Sequence, residues 1–146
     1  DYYYKYLKCT DQLLPVNFSQ VSRNKIYFGG GKEGLSPEDE ELLDRIIYYM
    51  GQDPRVFALY IDGHSDNRGR RYDNRQLSKR RAESVERYLI KKGINPDMIT
   101  LRFHGQRYPI ASNNTSKGRA TNRRVTIRLE MREDMEVPEE LLFVPD

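Results

Sequence analysis

Apolar residues recur every three or four positions between residues 37 and 50, and this spacing predicts an amphipathic helix. Ser36 has a side chain that suits the N-cap, and Pro37 suits the first helical position because it lacks an N–H donor. Gly51 stands where the periodicity stops, and glycine commonly ends helices. We therefore expect the first long helix of the chain here.

A second helical stripe runs through residues 77–89 and is followed by Gly93 as a stop signal. We expect Asp73 to be the N-cap of this helix, with Gln76 completing a capping box. Arg81 lies four residues from apolar positions on both sides, so it shares or borders the apolar face. The apolar face of a helix is an uncommon place for an arginine, which indicates a specific role for Arg81.

Four segments carry the apolar or alternating patterns that predict strands: 21–28, 56–61, 99–103 and 125–131. The second is almost continuously apolar, as in a central strand, and a long polar loop at 105–122 separates the last two. The predicted order is βαβαββ. Because helices between strands favour parallel crossovers, we expect an α+β fold with two main helices on one face of a small mixed parallel and antiparallel sheet.

The length and composition of the chain fit one domain. The near balance of its charges limits the classes of partner that it could bind. The chain has 146 residues, 25 basic and 22 acidic, with a net charge of +3. This is not the one-sign footprint of a nucleic-acid binder, so we expect no nucleic-acid partner. No apolar run approaches the roughly 20 residues of a membrane span. We expect a domain at 21–132, a linker or edge segment at 1–20, and a C-terminal tail at 133–146.

Cys9 is the single cysteine, so a disulfide within the chain is impossible. A bridge to a partner or to a preceding segment stays open. The two histidines do not have the spacing of a known zinc motif, and we expect neither a metal nor a cofactor. We interpret both histidines as structural, with His64 holding a loop by a side-chain hydrogen bond and His104 on the sheet surface.

Charged and polar side chains are most concentrated in residues 60–85, where a predicted strand, a polar turn and a helix follow one another. Asp66 in the turn could hold an ammonium group, and Arg81 could hold a carboxylate through two parallel N–H bonds. Asn74 at the helix start could add an amide. This combination suits a small zwitterion. Two alternatives stay open: Asp66 and Arg81 pair with each other, or Asp66 caps the turn.

Two spaced motifs make the sequence similar to a known family. The first contains Gly63, His64, Ser65, Asp66, Asn67, Gly69, Asn74, Leu77, Ser78, Arg81, Ala82 and Val85. The second contains Pro109, Ile110, Ala111, Ser112, Asn113, Thr115, Gly118, Arg119, Ala120, Asn122, Arg123, Arg124 and Val125. In this order they resemble the signature of OmpA-like C-terminal domains, over roughly residues 21–131. Gln106 and the Gly29–Gly31 turn depart from the family pattern.

The resemblance implies a domain that binds peptidoglycan through the diaminopimelate of its stem peptide. It implies that the charges of Asp66 and Arg81 grip the zwitterionic end. The ligand-binding residues expected on this basis are Asp66, Asn74, Leu77, Arg81 and Arg124. Arg124 has the alternative of a salt bridge on the sheet surface. The supporting loop residues expected are Gly63, His64, Ser65, Asn67, Gly69 and Asn113.

The resemblance also implies a place in the cell. Domains of this family follow barrels, lipid anchors or transmembrane helices, in outer-membrane porins, wall-associated lipoproteins and flagellar stator proteins. We therefore expect a periplasmic, outer-membrane or flagellar location, with envelope or flagellar motor proteins as partners and no transmembrane segment in this chain. We expect a binding protein without catalytic residues. The alternative is an interaction scaffold whose wall site is occluded or vestigial.

Overall fold

A computed structural model describes residues 17–137 of the chain, and within them it contains four helices and four strands. The helices are α1 (Phe18–Val21), α2 (Pro37–Gln52), α3 (Arg71–Lys91) and α4 (Ser116–Asn122), with a 3-10 turn at Pro96–Met98. The strands are β1 (Arg23–Tyr27), β2 (Val56–Gly63), β3 (Ile99–Phe103) and β4 (Arg124–Met131). The two long helices and four strands follow each other as predicted.

The four strands form one mixed sheet in the order β1-β4-β2-β3. β2 and β3 are parallel neighbours joined through α3, whereas β4 is antiparallel to both β1 and β2. β4 therefore lies between β1 and β2, although it is the last strand in the chain. The predicted βαβαββ architecture with a mixed sheet is confirmed.

The core lies between one face of the sheet and the two long helices. Both helices contribute to it, because Leu43 and Ile46 of α2 and Val85 and Leu89 of α3 are completely buried. The N-cap predicted at Ser36 is confirmed, and it is part of a capping box: Ser36 accepts from the Asp39 N–H, and Asp39 accepts from the Ser36 N–H. The buried apolar residues of the sheet are Ile26, Val56, Leu59, Ile61, Val125, Ile127 and Leu129.

The opposite face of the sheet carries charged and aromatic side chains. Tyr60 lies in the middle of it, with the guanidinium of Arg102 at 4.7 Å and that of Arg128 at 4.8 Å from its ring centroid. Cations over an aromatic ring are attracted by its quadrupole. This face therefore contributes polar and cation–π contacts rather than a second apolar core.

Three local predictions are wrong. The strand predicted at 21–28 begins at Arg23, because Asn17 and Gln20 form a capping box that starts the short helix α1. Asp73 is not the N-cap of the second long helix. That helix begins at Arg71, and Asp73 lies in its first turn with a salt bridge to Arg70. The long polar loop is also not irregular throughout, because Thr115 caps α4 inside it.

Residues 1–16 and 138–146 lie outside the described part of the chain. The expectations for Cys9, for the tyrosines near the start and for the apolar end of the tail therefore stay predictions. α1 begins within the residues assigned to the linker, yet it contacts α2, and the Phe18 ring lies 6.1 Å from that of Tyr49. Among residues 17–137, no helix combines the length and the apolar character needed to cross a membrane.

Candidate functional site

The site begins where β2 ends against α3. A Cβ atom added to Gly63 would lie only 2.1 Å from the Ser78 carbonyl oxygen, so only glycine lets strand and helix approach this closely. Ser78 is completely buried, and its hydroxyl accepts a hydrogen bond from the Gly105 N–H. This contact places the turn after β2, including Asp66, beside the first turns of α3.

Asp66 is 8% exposed and has two partners within the described chain. Its Oδ1 accepts from the Arg68 N–H at 3.0 Å, so Asp66 does cap the turn. Its Oδ2 accepts from Arg123 Nη1 at 3.1 Å. The pairing of Asp66 with Arg81 that the sequence left open is not formed.

Arg81 is completely buried, and its guanidinium donates only to backbone carbonyls in the described chain. Nε donates to Lys32 at 2.8 Å, Nη2 to Gly29 at 3.0 Å and Nη1 to His64 at 3.3 Å. Burial lowers the pKa of Arg81 to about 10, against an opposing effect of the Asp66 charge. The group stays protonated at neutral pH, so it is a buried cation without a directly bonded carboxylate.

Asp66 and Arg81 line one cavity of about 530 Å³. A Cβ at Gly30 or at Gly31 would have no atom within 4 Å, so these two glycines border the cavity without filling it with side chains. Among the described residues, four guanidinium groups but one carboxylate line the cavity. Its lining residues are Gly30, Gly31, Asp66, Arg68, Asn74, Leu77, Arg81, Ser116, Arg119 and Arg123.

Four of the five ligand-binding residues predicted from the sequence line this cavity: Asp66, Asn74, Leu77 and Arg81. Arg124 does not line it. Its side chain is buried and donates to the carbonyls of Tyr108 at 3.1 Å and Asn122 at 3.5 Å, so it does not form a surface salt bridge either. The neighbouring Arg123 faces the cavity instead.

The supporting residues of the turn have distinct structural roles. Ser65 is buried and donates from its hydroxyl to the Asp66 carbonyl at 2.8 Å. Gly69 has φ +90°, a conformation that glycine adopts without strain, and Asn67 is exposed beside it. Asn113 lies in the second motif, where its Oδ1 accepts from Asn122 at 2.9 Å.

His64 does not hold the loop by a side-chain hydrogen bond. It is 6% exposed, its Nδ1 has no partner among the described residues, and its ring stacks on His104 with centroids 5.0 Å apart. Burial, followed by the charges of Arg124 and His104, lowers the pKa of His64 to about 3. His64 is therefore a neutral packing residue at pH 7, and its backbone carbonyl is what contacts Arg81.

A second polar cluster forms around Asp62, which lies four residues before Asp66 in the chain. Arg102 donates to Asp62 at 2.7 and 2.9 Å, and His104 Nε2 lies 2.7 Å from the same carboxylate. Burial by itself would raise the pKa of Asp62, but these bonds outweigh it and lower the pKa. Within residues 17–137, no group of three or more His, Cys, Asp or Glu side chains is arranged to hold a metal ion.

The structure adds six lining residues that the sequence did not assign: Gly30, Gly31, Arg68, Ser116, Arg119 and Arg123. Three of these six residues could have been found from the sequence. Arg119 and Arg123 belong to the second motif, and Arg68 lies in the basic turn of the first. The Gly-rich turn carries no such signal, because nothing local shows that it packs against the helix carrying Arg81.

These features define the class of the chain: a small α+β domain with a cation-rich cavity where its central strand runs into a long helix. The model of the OmpA family matches residues 27–123, which contain β2, α3 and the whole cavity. The chain belongs to the OmpA family.

Curated relatives are similar over most of this chain. Outer membrane protein A of Bordetella avium is 42% identical over 79% of the chain, and peptidoglycan-binding protein ArfA of Mycobacterium tuberculosis is 38% identical over 82%. Sodium-type flagellar protein MotY of Vibrio parahaemolyticus is 28% identical over 87%. The matches span 59%, 36% and 43% of these relatives, so each is longer than the region it shares with this chain.

The fold agrees with solved structures of the family. The peptidoglycan-associated lipoprotein of Burkholderia pseudomallei superposes with a TM-score of 0.66 at 25% identity, over 73% of this chain and 89% of that one. The mixed four-stranded sheet and the two long helices are therefore the family fold.

Proposed function

We propose that this chain binds peptidoglycan non-covalently, with the cavity holding the zwitterionic end of diaminopimelate in a stem peptide. Asp66 receives the ammonium group. Arg81, assisted by Arg123, receives the carboxylate, while Asn74 and Leu77 line the wall beside it. The observation that carries the proposal is the buried guanidinium of Arg81, which reaches the cavity without a bonded carboxylate in the described chain.

The energetic reason is the cost of burying charge. A buried cation that is bonded only to neutral carbonyls keeps part of its desolvation penalty, because no opposite charge compensates it at short range. A ligand carboxylate entering the cavity would supply that charge. Each terminal nitrogen of Arg81 has one N–H without a hydrogen-bond partner in the described chain. Arg81 can therefore donate to a ligand and keep its bonds to the carbonyls.

The relatives support the class of ligand. One of them is called peptidoglycan-binding, and a similar solved structure is that of a peptidoglycan-associated lipoprotein. The cavity also lacks the arrangement that turnover requires. Among the described residues that line it there is one carboxylate, that of Asp66, and no histidine or cysteine, so no paired acid and base face each other across it. We therefore propose binding without catalysis.

A wall-binding domain of this kind would anchor a periplasmic assembly. One stem peptide in one cavity gives modest affinity, and many sites along the polymer retain the protein through repeated rebinding. The relatives include an outer membrane protein and a sodium-type flagellar protein. We propose an envelope assembly as the partner, and the flagellar motor as one such assembly.

The test is co-sedimentation of the purified chain with diaminopimelate-containing sacculi. Asp66→Asn removes the charge but keeps an oxygen for the Arg68 N–H, and we expect binding to fall at least about tenfold. Arg81→Lys keeps a cation but loses the planar fork, and it should also bind more weakly. Asp73→Asn is the matched control, since this carboxylate is exposed and lies outside the cavity.

Normal binding by folded Asp66→Asn would show that the cavity is not the wall site. A folded chain that does not sediment with sacculi would favour the alternative, an interaction scaffold with an occluded or vestigial site. Release of soluble wall fragments during the incubation would indicate a hydrolase. Circular dichroism of each variant separates loss of binding from loss of fold.

A further inference from the structure

The cavity contains more positive charge than one zwitterion can compensate. Among the described residues, Arg68, Arg81, Arg119 and Arg123 line it together with one carboxylate, that of Asp66, so these side chains carry a net charge of +3. A zwitterionic group brings one positive and one negative charge. It would leave this excess unchanged.

The four arginines are not equally occupied. Arg81 uses all three of its nitrogens on carbonyls, and Arg123 bonds both Asp66 and the Phe28 carbonyl. Arg119 has a single side-chain bond, from Nη1 to the Asn113 carbonyl at 2.9 Å. The guanidinium of Arg68 is exposed, and no described residue bonds it. Free donor capacity is therefore concentrated in Arg68 and Arg119.

The backbone of each of these two arginines is held in place beside the cavity. The Asp66 side chain holds the backbone of Arg68, so the residue is fixed next to the group proposed to take the ammonium. Arg119 lies in α4, one residue after Gly118, whose added Cβ would be 1.7 Å from the Ser112 carbonyl. This close packing fixes the backbone from which the Arg119 side chain reaches the cavity.

We infer that the site selects a ligand with a second free carboxylate beyond the zwitterionic end, and that Arg68 and Arg119 receive it. The ligand class is then a wall peptide whose other carboxylates are free acids rather than amides. This inference rests on the proposed function. An amide in place of the second carboxylate removes the charge and adds N–H groups that face arginine donors, which penalises the amidated peptide.

The test is calorimetry with three synthetic tripeptides. The first carries diaminopimelate with every carboxylate free. The second keeps the zwitterionic end but has its other carboxylates amidated. The third has lysine in place of diaminopimelate, so its ammonium remains but the carboxylate beside it is lost. We expect the first to bind about tenfold more tightly than the second, as expected for loss of a charge-assisted bond.

Variants assign the effect to the two arginines. In the Arg68→Gln and Arg119→Gln double variant, the difference between the first two peptides should shrink to less than about twofold, while both still bind more tightly than the third. Arg68→Gln alone, at an exposed position, should reduce the difference without risk to the fold. Arg71→Gln is the control, because Arg71 is also exposed and does not line the cavity.

The outcomes separate this inference from the function on which it rests. Equal affinity of the unchanged chain for the first two peptides, with weaker binding of the third, would overturn the second-carboxylate site and leave the zwitterion site standing. Equal affinity for all three peptides, or no binding of any, would overturn both. A preference for the free acid that persists in the double variant would also overturn the assignment to Arg68 and Arg119.

Discussion

Asp62 and Asp66 are four residues apart in the chain, yet their surroundings differ in one decisive respect. Asp62 receives two bonds from Arg102 and one contact from His104, so its charge is compensated inside the fold. Asp66 is bonded by one guanidinium group, that of Arg123, and faces a cavity lined by three further arginines. Two aspartates at the same strand end therefore have different roles, one closing a local network and the other facing a site with unsatisfied charge.

The difference comes from where each residue lies relative to the sheet. Asp62 is within β2, and Arg102 is its register partner on the parallel strand β3, so the pair forms whenever the sheet forms. Asp66 lies beyond the strand, in the turn. Its partner Arg123 is 57 residues away in sequence and comes from the end of α4. The tertiary fold, rather than strand pairing, creates this second environment.

Gly63 lies between the two aspartates, and its replacement should have the largest effect. Gly63→Ala would place a methyl group 2.1 Å from the Ser78 carbonyl, so α3 must move away from β2. We expect the free energy of unfolding to fall by about 2–3 kcal/mol, as for overpacked cores, and sacculus binding to weaken as well. Urea denaturation measures the first effect.

Gly34→Ala is the control for Gly63→Ala, because a Cβ at Gly34 would meet no atom within 4 Å. Stability of Gly63→Ala equal to that of the unchanged chain would mean that the helix can shift without cost. The different surroundings of Asp62 and Asp66 would then not depend on a fixed packing of α3 against β2.

Matched substitutions of the two aspartates should give opposite results. Asp62→Asn leaves Arg102 without its carboxylate, and we expect the free energy of unfolding to fall by about 1–2 kcal/mol with sacculus binding retained. Asp66→Asn should weaken binding at least about tenfold with a smaller loss of stability. Urea denaturation and co-sedimentation measure the two effects on the same samples. Loss of binding in a folded Asp62→Asn variant would contradict the division of roles.

Acid should weaken the fold through His64, which lies between the two clusters. The folded chain holds the pKa of His64 near 3, below its ordinary value of 6.5, so the unfolded chain binds the proton first. Stability is therefore full above pH 6.5 and is lost as the pH falls from there towards 3. Between pH 7.5 and 5.5 we expect a loss of about 1 kcal/mol from this residue.

His64→Phe tests this dependence, since it keeps a ring against His104 but removes the titrating group. Urea denaturation at both pH values should show a smaller acid loss in the variant than in the unchanged chain. The other titratable groups are the same in both proteins, so the difference between the two acid losses reports on His64. An identical loss in both proteins would show that His64 is protonated freely in the fold.

Local sequence determined much of the architecture. The capping box at Ser36 and the helical spacing after it placed α2, because caps and periodicity act within one or two turns. Alternation placed β3 and β4, and two spaced motifs indicated the family, the turn after β2 and four of the cavity residues. Each of these signals depends on residues close together in sequence, so each can be read before the chain is folded.

Tertiary structure alone decided the partners of the arginines in and around the cavity. Nothing local distinguishes Arg123 from Arg124, yet one faces the cavity and the other donates to the Tyr108 carbonyl. Likewise, Arg81 meets the Gly29 carbonyl 52 residues away, which no spacing rule predicts. Successive side chains at the start of a strand point to opposite sides, and long side chains bond whatever the packed fold brings near. The composition of the cavity is therefore a property of the assembled sheet and helices.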